Sequence, residues 1–514
     1  MLKLRFSILL LAIILINQIN AYKILCLWSL PFRSHYILGR AYARALVEAG
    51  HDVTMVSGFH EKDFPKNGTY REVILTGQIE QMEAMIENED HFKEEPWSFQ
   101  IYFFKFCEEL TRQFLKHPNV QKLIKSGEKF DLVVVEEFSN HALRALAPHF
   151  GAPLIIFSSM GANNWVNTLV ANPAPPSYVP DKISPYSGLM DFWQRLDNTI
   201  TITTQNIITE FFIKPGHDRL VKQFINEHLD ASTYNVSLIF LNSDASTNDP
   251  IPKVPNMIEI GGFHVQPPQQ LPSDLQLFLD DAKDGAIYFS MGSHLKSQNM
   301  SLDKRHAIIN TFSKIKEKVL WKFGDNSLSG LPENVKISKW FPQQEVLAHP
   351  NVKLFITHGG LLSATETIYH AKPTVTIPIF GDQNQNAKIA EINGFSLTLL
   401  YKDLNEETFS KTIREVLDNP KFRLNVEKRS QIMHDKQVKP LEKAIYWTEY
   451  VIRHKGAAHL QVAGVYLPLY KYLLLDVFSF IFLSLITVLF VLKIVLQKVF
   501  CCKRRPERSE KKDK

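Results

Sequence analysis

The chain is 514 residues long, 45% apolar and 22% charged, ordinary proportions for a globular protein with room for two or three cored domains. The net charge of +5 misleads, because residues 493–514 hold nine Lys and Arg against three acids and Lys3 and Arg5 sit at the other end; what lies between is slightly acidic and gives no sign of a nucleic-acid-binding surface. Four cysteines, two of them (Cys501 and Cys502) in the basic tail, exclude a disulfide scaffold, and Cys26, inside an apolar run, reads as a small core residue.

Residues 1–21 contain Lys3 and Arg5, an apolar run from Phe6 to Ile16 and a polar break before Ala21, the pattern of a cleaved secretory signal peptide. Tyr22 to Trp28 reads as a strand, residues 29–34 as a loop, and His35 to Ala49 as a helix with Ser34 as its N-cap and Gly50 as its stop. Asp52 to Ser57 is the next strand and closes a βαβ unit. Residues 94–117 form a long aromatic-rich helical stretch whose Trp97, Phe99, Tyr102, Phe103 and Phe106 read as packing. Phe130 to Val135 is a buried strand ending in Glu136 and Glu137, and Leu154 to Ser158 is another. Residues 162–187 are loop-rich, with Pro173, Pro175, Pro176 and Pro180; such a loop beside a cleft often shapes specificity. The proline-rich stretch 245–272 reads as an interdomain linker. Ala286 to Ser290 then restarts a sheet and ends in the small-residue turn Ser290-Met291-Gly292-Ser293.

The stretch from Trp340 to Ala387 carries the chemistry. Val352 to Thr357 has the pattern of a buried parallel strand, His358-Gly359-Gly360 follows, Leu361 to His370 has helical spacing, and Pro373 to Phe380 is a second apolar run ending in Gly381-Asp382-Gln383. Glycines between a strand and a helix N-terminus let a ligand approach the backbone, and free N–H groups with the helix dipole favour an anion such as phosphate. His358 and Ser363 add polar groups there. Glu366 is placed to accept from a ribose, Asp382 and Gln383 suit sugar hydroxyls, and Trp340 offers a flat face to a base.

The order and spacing of these residues resemble the signature of the UDP-glycosyltransferase family: the Trp340-Phe-Pro-Gln opening, the Thr357-His-Gly-Gly turn, Glu366 eight residues after His358, and the closing Asp382-Gln383. The wording is most like animal, and particularly insect, members. The resemblance implies that Trp340 stacks on uracil, Gln343 bonds the uridine, and His358 and Ser363 hold the diphosphate beside Gly360. Glu366 would then hold the ribose, and Asp382 with Gln383 the sugar. It also implies that the Ser290, Gly292 and Ser293 turn faces the diphosphate. Many members have Asn where this chain has Leu362, so any donor contact made by that Asn is absent. The family's catalytic histidine corresponds to His35, and its carboxylate partner, usually Asp, to Glu136, with Glu137 as a stand-in.

The expected architecture is α/β, the GT-B arrangement of two facing Rossmann-like domains, with residues 22–244 binding the acceptor, 245–284 linking, and 285–460 binding UDP-sugar. Leu473 to Leu492 suits a single membrane-spanning helix, followed by a basic cytosolic tail ending in Lys511-Lys512-Asp513-Lys514, which resembles a dilysine retrieval signal. Sequons at Asn67, Asn235 and Asn299 fall on the lumenal side of that topology. The expected reaction is transfer of a sugar, glucose favoured, from a UDP-sugar co-substrate to a hydroxyl of a small lipophilic acceptor, with inversion and a histidine base. No Asp-x-Asp sequence occurs, so neither metal nor other cofactor is expected. The implied setting is the endoplasmic reticulum membrane, with no nucleic-acid partner and a homo-oligomer left open. The alternative is a non-catalytic membrane-anchored sugar-nucleotide binder, which would not need His35 and Glu136. A dinucleotide-binding oxidoreductase would need a Gly-x-Gly-x-x-Gly turn where this chain has Ser29-Leu-Pro-Phe-Arg-Ser.

Overall fold

A computed structural model describes residues 21–87, 96–226, 228, 235–293, 297, 300–324, 328 and 330–502. Residues 1–20 of the expected signal peptide, Asn299 and the expected dilysine signal lie outside the described residues, as do the side chains of Trp97 and Phe99.

The body, up to Gln461, holds two sheets, each parallel throughout. The first comprises β1 (Lys23–Leu27), β2 (Asp52–Ser57), β3 (Thr69–Ile74), β4 (Leu132–Glu136), β5 (Leu154–Ser158), β6 (Val236–Leu241) and β7 (Met257–Glu259), in the order β3-β2-β1-β4-β5-β6-β7. The second comprises β8 (Ala286–Ser290), β9 (Lys318–Lys322), β10 (Val335–Ser338), β11 (Val352–Thr357), β12 (Thr374–Thr376) and β13 (Ser396–Thr398), in the order β10-β9-β8-β11-β12-β13. The inner strands are Val- and Ile-rich and buried along their length, as a sheet covered on both faces requires. In both sheets the strand order reverses once, between β1 and β4 and between β8 and β11. Loops leave such a point in opposite directions and open a crevice there. His35, Glu136, His358, Ser363 and Glu366 lie at these strand ends or on the helices that follow them, while Trp340 and Gln343 follow β10 and Asp382 and Gln383 follow β12.

Several expectations shift. The helix after β1 runs Arg33–Glu48 with Phe32 at its N-cap and no side-chain cap. Ser34 is therefore inside the first turn rather than capping it, and His35 is the third helical residue. The presumed linker is partly sheet and helix: β7 pairs with β6, and Ser273–Asp280 is helical. The apolar run 373–380 is strand only over β12, after which the chain leaves the ladder to form the Asp382 turn. The Pro440–Arg453 helix, expected with the second domain, packs on the first sheet, where Ala444 and Val451 join the core of Cys26, Tyr42 and Phe157. Tyr42 Oη lies 2.7 Å from Thr448 Oγ1, both fully buried. Cys26 and Cys107 are buried free thiols, and burial pushes both upward in pKa.

The second compact unit, from Val462, contains a helix Leu475–Cys502 that is long and apolar enough over 475–500 to cross a membrane. It runs beyond the expected Leu492, so Lys493 and Lys498 ride on the helix rather than in a tail.

The Tyr42–Thr448 contact yields a test. Thr448→Val keeps the shape but strands the buried Tyr42 hydroxyl, which should cost about 1–3 kcal/mol. Adding Tyr42→Phe removes the stranded group and should recover part of that loss in a denaturation series.

Candidate active site

A cleft of about 1130 Å³ lies between the two sheets, lined by residues from both. On the first-sheet side, His35 Nδ1 lies 2.5 Å from Glu136 Oε1. The sheet explains the meeting. Glu136 ends β4, β4 pairs with β1, and the loop from β1 delivers the helix whose first turn carries His35. Glu136 is fully buried, whereas His35 faces the cleft. With Nδ1–H donating to Glu136, Nε2 is left as the acceptor. Asn140 holds the turn beneath, donating from Nδ2 to Glu136 O (2.8 Å) and Ser29 Oγ (2.9 Å). Glu137 does not substitute for Glu136: it turns the other way, into a buried pair with Arg144 (Nη2 to Oε1, 2.7 Å).

Aromatic rings surround His35. Phe138 meets it edge-on at 4.9 Å between centroids, Phe32 lies 5.6 Å away, and Phe103 stacks on Trp165 at 5.7 Å. Tyr102, Phe103 and Phe106 line the cleft together with these rings. Their expected role as packing alone is thus incomplete. A helical aromatic run looks the same in sequence whether its rings face a core or a cavity.

On the second-sheet side the His358 ring sits between two glycines. A Cβ on Gly292 would lie 2.6 Å from its Cε1, and one on Gly360 would lie 2.5 Å from its Nε2. Burial, with help from Lys322, pulls the His358 pKa down to about 4, so the ring is neutral at pH 7. Gly360 caps the Leu361–Tyr369 helix, whose first turn holds Ser363 and whose second holds Glu366. Gln343 joins these groups: its Nε2 donates to Ser363 Oγ (3.1 Å) and Glu366 Oε2 (2.6 Å), while its Oε1 accepts from Tyr288 Oη (3.2 Å). Burial raises Glu366 to about 7 against the donations from Gln343 and Gln344. Trp340 is 54% exposed on the cleft wall, with Lys322 Nζ 4.5 Å from its ring centroid. Ser293 lines the cleft, but Ser290 does not. Ser290 is buried, and its hydroxyl accepts from the Gly292 amide, so it shapes the turn instead of facing a ligand. Leu362 lines the cleft and packs against the core of the first sheet, an apolar use of its position.

At the far end are Asp382 and Gln383. Gln383 Oε1 accepts from the Ile379 and Phe380 amides (2.8 and 3.2 Å), which fixes the turn. Asn386 Nδ2 donates to Asp382 Oδ2 (2.8 Å) and to Gly359 O (2.9 Å), tying the sugar-side turn to the glycine turn. Burial pushes the Asp382 carboxyl up, partly offset by Asn386, Lys182 and His35. Three groups in this region were missed from sequence: Asn386, Lys182 and Lys322. Lys322, pulled down to about 8 by burial, donates to Gly292 O at 2.9 Å. It ends β9, next to β8, and a strand-end position was the available signal.

Residues 33–512 match the family model described as UDP-glucoronosyl and UDP-glucosyl transferase. The chain belongs to this family. Among its relatives, "UDP-glycosyltransferase UGT5" of Dactylopius coccus is 34% identical, over 92% of this chain and 91% of that one. "UDP-glucuronosyltransferase 2B7" of Homo sapiens is 28% identical over 92% of each. A solved UDP-glucose: anthocyanidin 3-O-glucosyltransferase in complex with UDP superposes with a TM-score of 0.56, at 15% identity over 85% of this chain and all of that one, a likeness of GT-B fold. The protein is accordingly a glycosyltransferase that uses a UDP-sugar, and membrane anchoring accords with its apolar C-terminal helix.

Two measurements probe this glycosyltransferase's nucleotide side. Gly360 has an ordinary φ of −59°, so Gly360→Ala brings no backbone strain and acts only by pushing on His358. Overpacking of this kind costs about 1–3 kcal/mol, and UDP affinity measured by titration should fall accordingly. Glu366 binds its proton more tightly when folded. Its contribution to stability is full below about pH 4.5, the ordinary carboxylate value, and is lost as pH rises through about 7. The thermal midpoint of the wild type relative to Glu366→Gln should therefore fall between pH 5 and pH 8; a flat difference would contradict the raised value.

Proposed function

We propose that this chain transfers a sugar, with glucose favoured, from a UDP-sugar to a hydroxyl of a small lipophilic acceptor, with inversion at the anomeric carbon and with His35 as the base. The single observation carrying this reading is the 2.5 Å contact of His35 with buried Glu136 at the head of an aromatic-walled pocket. Glu136 fixes the tautomer, so Nε2 can take the acceptor's proton as the oxygen attacks, and the carboxylate offsets the imidazolium that forms. The ring wall of Phe32, Phe103, Phe138 and Trp165 suits a flat apolar acceptor. Attack from this side, with UDP leaving toward the second sheet, is an in-line displacement and gives inversion.

The leaving diphosphate would meet neutral His358, the backbone at Gly292 and Gly360, and the cationic Lys322. These groups supply fixed dipoles and charge where negative charge develops, and a metal-independent reaction is the reading they favour. Trp340 would stack on uracil, Glu366 and Gln343 would hold the uridine and ribose, and Asp382 with Gln383 the sugar. The glucose preference draws on relatives such as "UDP-glucosyltransferase 2" of Dactylopius coccus, 32% identical over 98% of this chain. The signal-like leader, the apolar helix and the dilysine end together support a lumenal enzyme of the endoplasmic reticulum membrane. Asn67 and Asn235 are exposed, as glycan acceptors must be. A non-catalytic binder would leave the His35–Glu136 pair without a purpose.

His35→Ala and Glu136→Gln should each lower turnover about a hundredfold or more, the scale of general-base catalysis, with UDP affinity nearly unchanged. Near-normal turnover of His35→Ala with UDP-glucose and a phenol panel would remove the assignment.

A further inference from the structure

The segment following Asn172 is irregular but firmly held. Asn198, fully buried in the Phe192–Ile208 helix, donates to Pro176 O (2.8 Å) and Val179 O (3.0 Å) and accepts from the Asp181 amide (2.8 Å). Gln205, on the same helix, donates to Asp181 Oδ1 at 3.2 Å. From the second-sheet half, Gln385 donates to Asp181 O at 3.1 Å. All three amide side chains are buried, so position 181 is clamped from both halves of the body.

The next residue is Lys182, which lines the cleft along with His35, Gly381 and Asp382. Among the described residues its ammonium has no hydrogen-bond or ion-pair partner. Burial lowers its pKa against the opposing pull of Asp382, Asp249 and Asp181, and Asp382 in turn senses both Lys182 and His35. Its side chain is half-buried, and a cation drawn even partly out of water is costly unless something pairs with it. Here the clamp on Asp181 denies the backbone any easy retreat, and the residue lines both the cleft, beside His35 and Asp382, and a small neighbouring pocket beside Asp249.

We propose that Lys182 is a donor-sugar contact supplied by the acceptor half, its ammonium donating to hydroxyl oxygens of a neutral hexose whose other hydroxyls donate to Asp382. This rests on the assignment of Asp382 to the sugar. The complementarity is chemical. Asp382 can only accept when ionised, and the amide oxygen of Gln383 is already committed to two backbone amides. A polyol needs donors as well as acceptors around it, and Lys182 brings three. A sugar bearing a carboxylate would have to place that group near Asp382 and Asp181, which both line the cleft, so the arrangement favours an uncharged sugar. Because Lys182 and Asp382 belong to different halves, the hexose is gripped from both sides at the end of the cleft nearest His35, and free UDP does not feel the lysine.

The test is titration of the full chain in detergent with free UDP, UDP-glucose and UDP-glucuronate, for the wild type and Lys182→Met, which keeps an unbranched apolar stem and removes the charge. One charge-assisted hydrogen bond corresponds to roughly a ten- to hundredfold effect. UDP-glucose affinity should fall by about that factor, UDP affinity should stay within twofold, and Lys182→Arg should recover part of the loss. Lys182→Gln serves the same comparison if Met disturbs folding. Unchanged UDP-glucose affinity, equal loss of UDP and UDP-glucose, or a loss confined to UDP-glucuronate would each overturn the proposal. Asp382→Ala in the same titrations separates the two layers. If it selectively loses UDP-glucose while Lys182→Met does not, only the lysine contact fails. If Asp382→Ala leaves both ligands unaffected, the sugar end itself is misassigned and both fall.

Discussion

Both sheets are parallel and buried on both faces, and that constraint fixes where polar chemistry can occur. The inner strands β1, β4, β5, β6 and β8 carry no charged side chain away from their ends, so polar groups collect where strands end. The two reversals of strand order, β1 beside β4 and β8 beside β11, then decide which ends are neighbours. His35 and Glu136 are 101 residues apart, yet they touch because β1 and β4 do. The Gly292 turn closes on His358 for the same reason, since β8 pairs with β11.

Burial then sets the protonation states. On the second-sheet side of the cleft His358 and His264 are each held to about 4, and Glu366 rises to about 7. Lys322, the nearby cation, is itself drawn down to about 8. A site of this kind offers a diphosphate neutral donors, backbone N–H groups and little competing negative charge. His35 differs: it faces the cleft with a buried carboxylate behind it, a counter-charge already in place for a protonated imidazole. The two histidines sit at equivalent ends of two similar sheets, and their surroundings differ: His358 is buried between glycines, and His35 faces the cleft against a buried carboxylate.

Much of this was legible in the sequence where order and spacing were local. The Trp340 to Gln383 stretch reads directly because strand, glycine turn and helix follow within one βαβ unit, and its residues line the cleft as a group. What was not legible depended on pairing across long separations. Lys322 looks like any strand-end lysine until β9 is placed beside β8. Glu136 and Glu137 are adjacent in sequence, and only the strand's alternation, one side chain toward His35 and the next toward Arg144, separates their roles. Ser290 has the residue type of a phosphate ligand, but the last position of a buried strand turns it inward. The Pro440–Arg453 helix follows the second sheet in the chain, and nothing in its amphipathic pattern says that its partner is Tyr42 on the first.

That crossing helix also bears on how the cleft keeps its width. The chain passes from the first sheet to the second once, after β7, and returns once, through the Pro440–Arg453 helix, whose Ala444 and Val451 are buried in the first core. Between those passages the halves are joined by polar contacts at named points. Arg429 donates to Ala245 O and Ser246 O, Lys436 pairs with Asp244 at 2.8 Å, and Gln385 reaches Asp181 O. The first two sit on the stretch that enters the second half, so they pin the outward passage close to the return. Polar contacts of this kind are directional and can be exchanged for water at modest net cost, unlike a continuous apolar interface. The body therefore combines a firm apolar attachment of the returning helix with a few exchangeable links around the cleft.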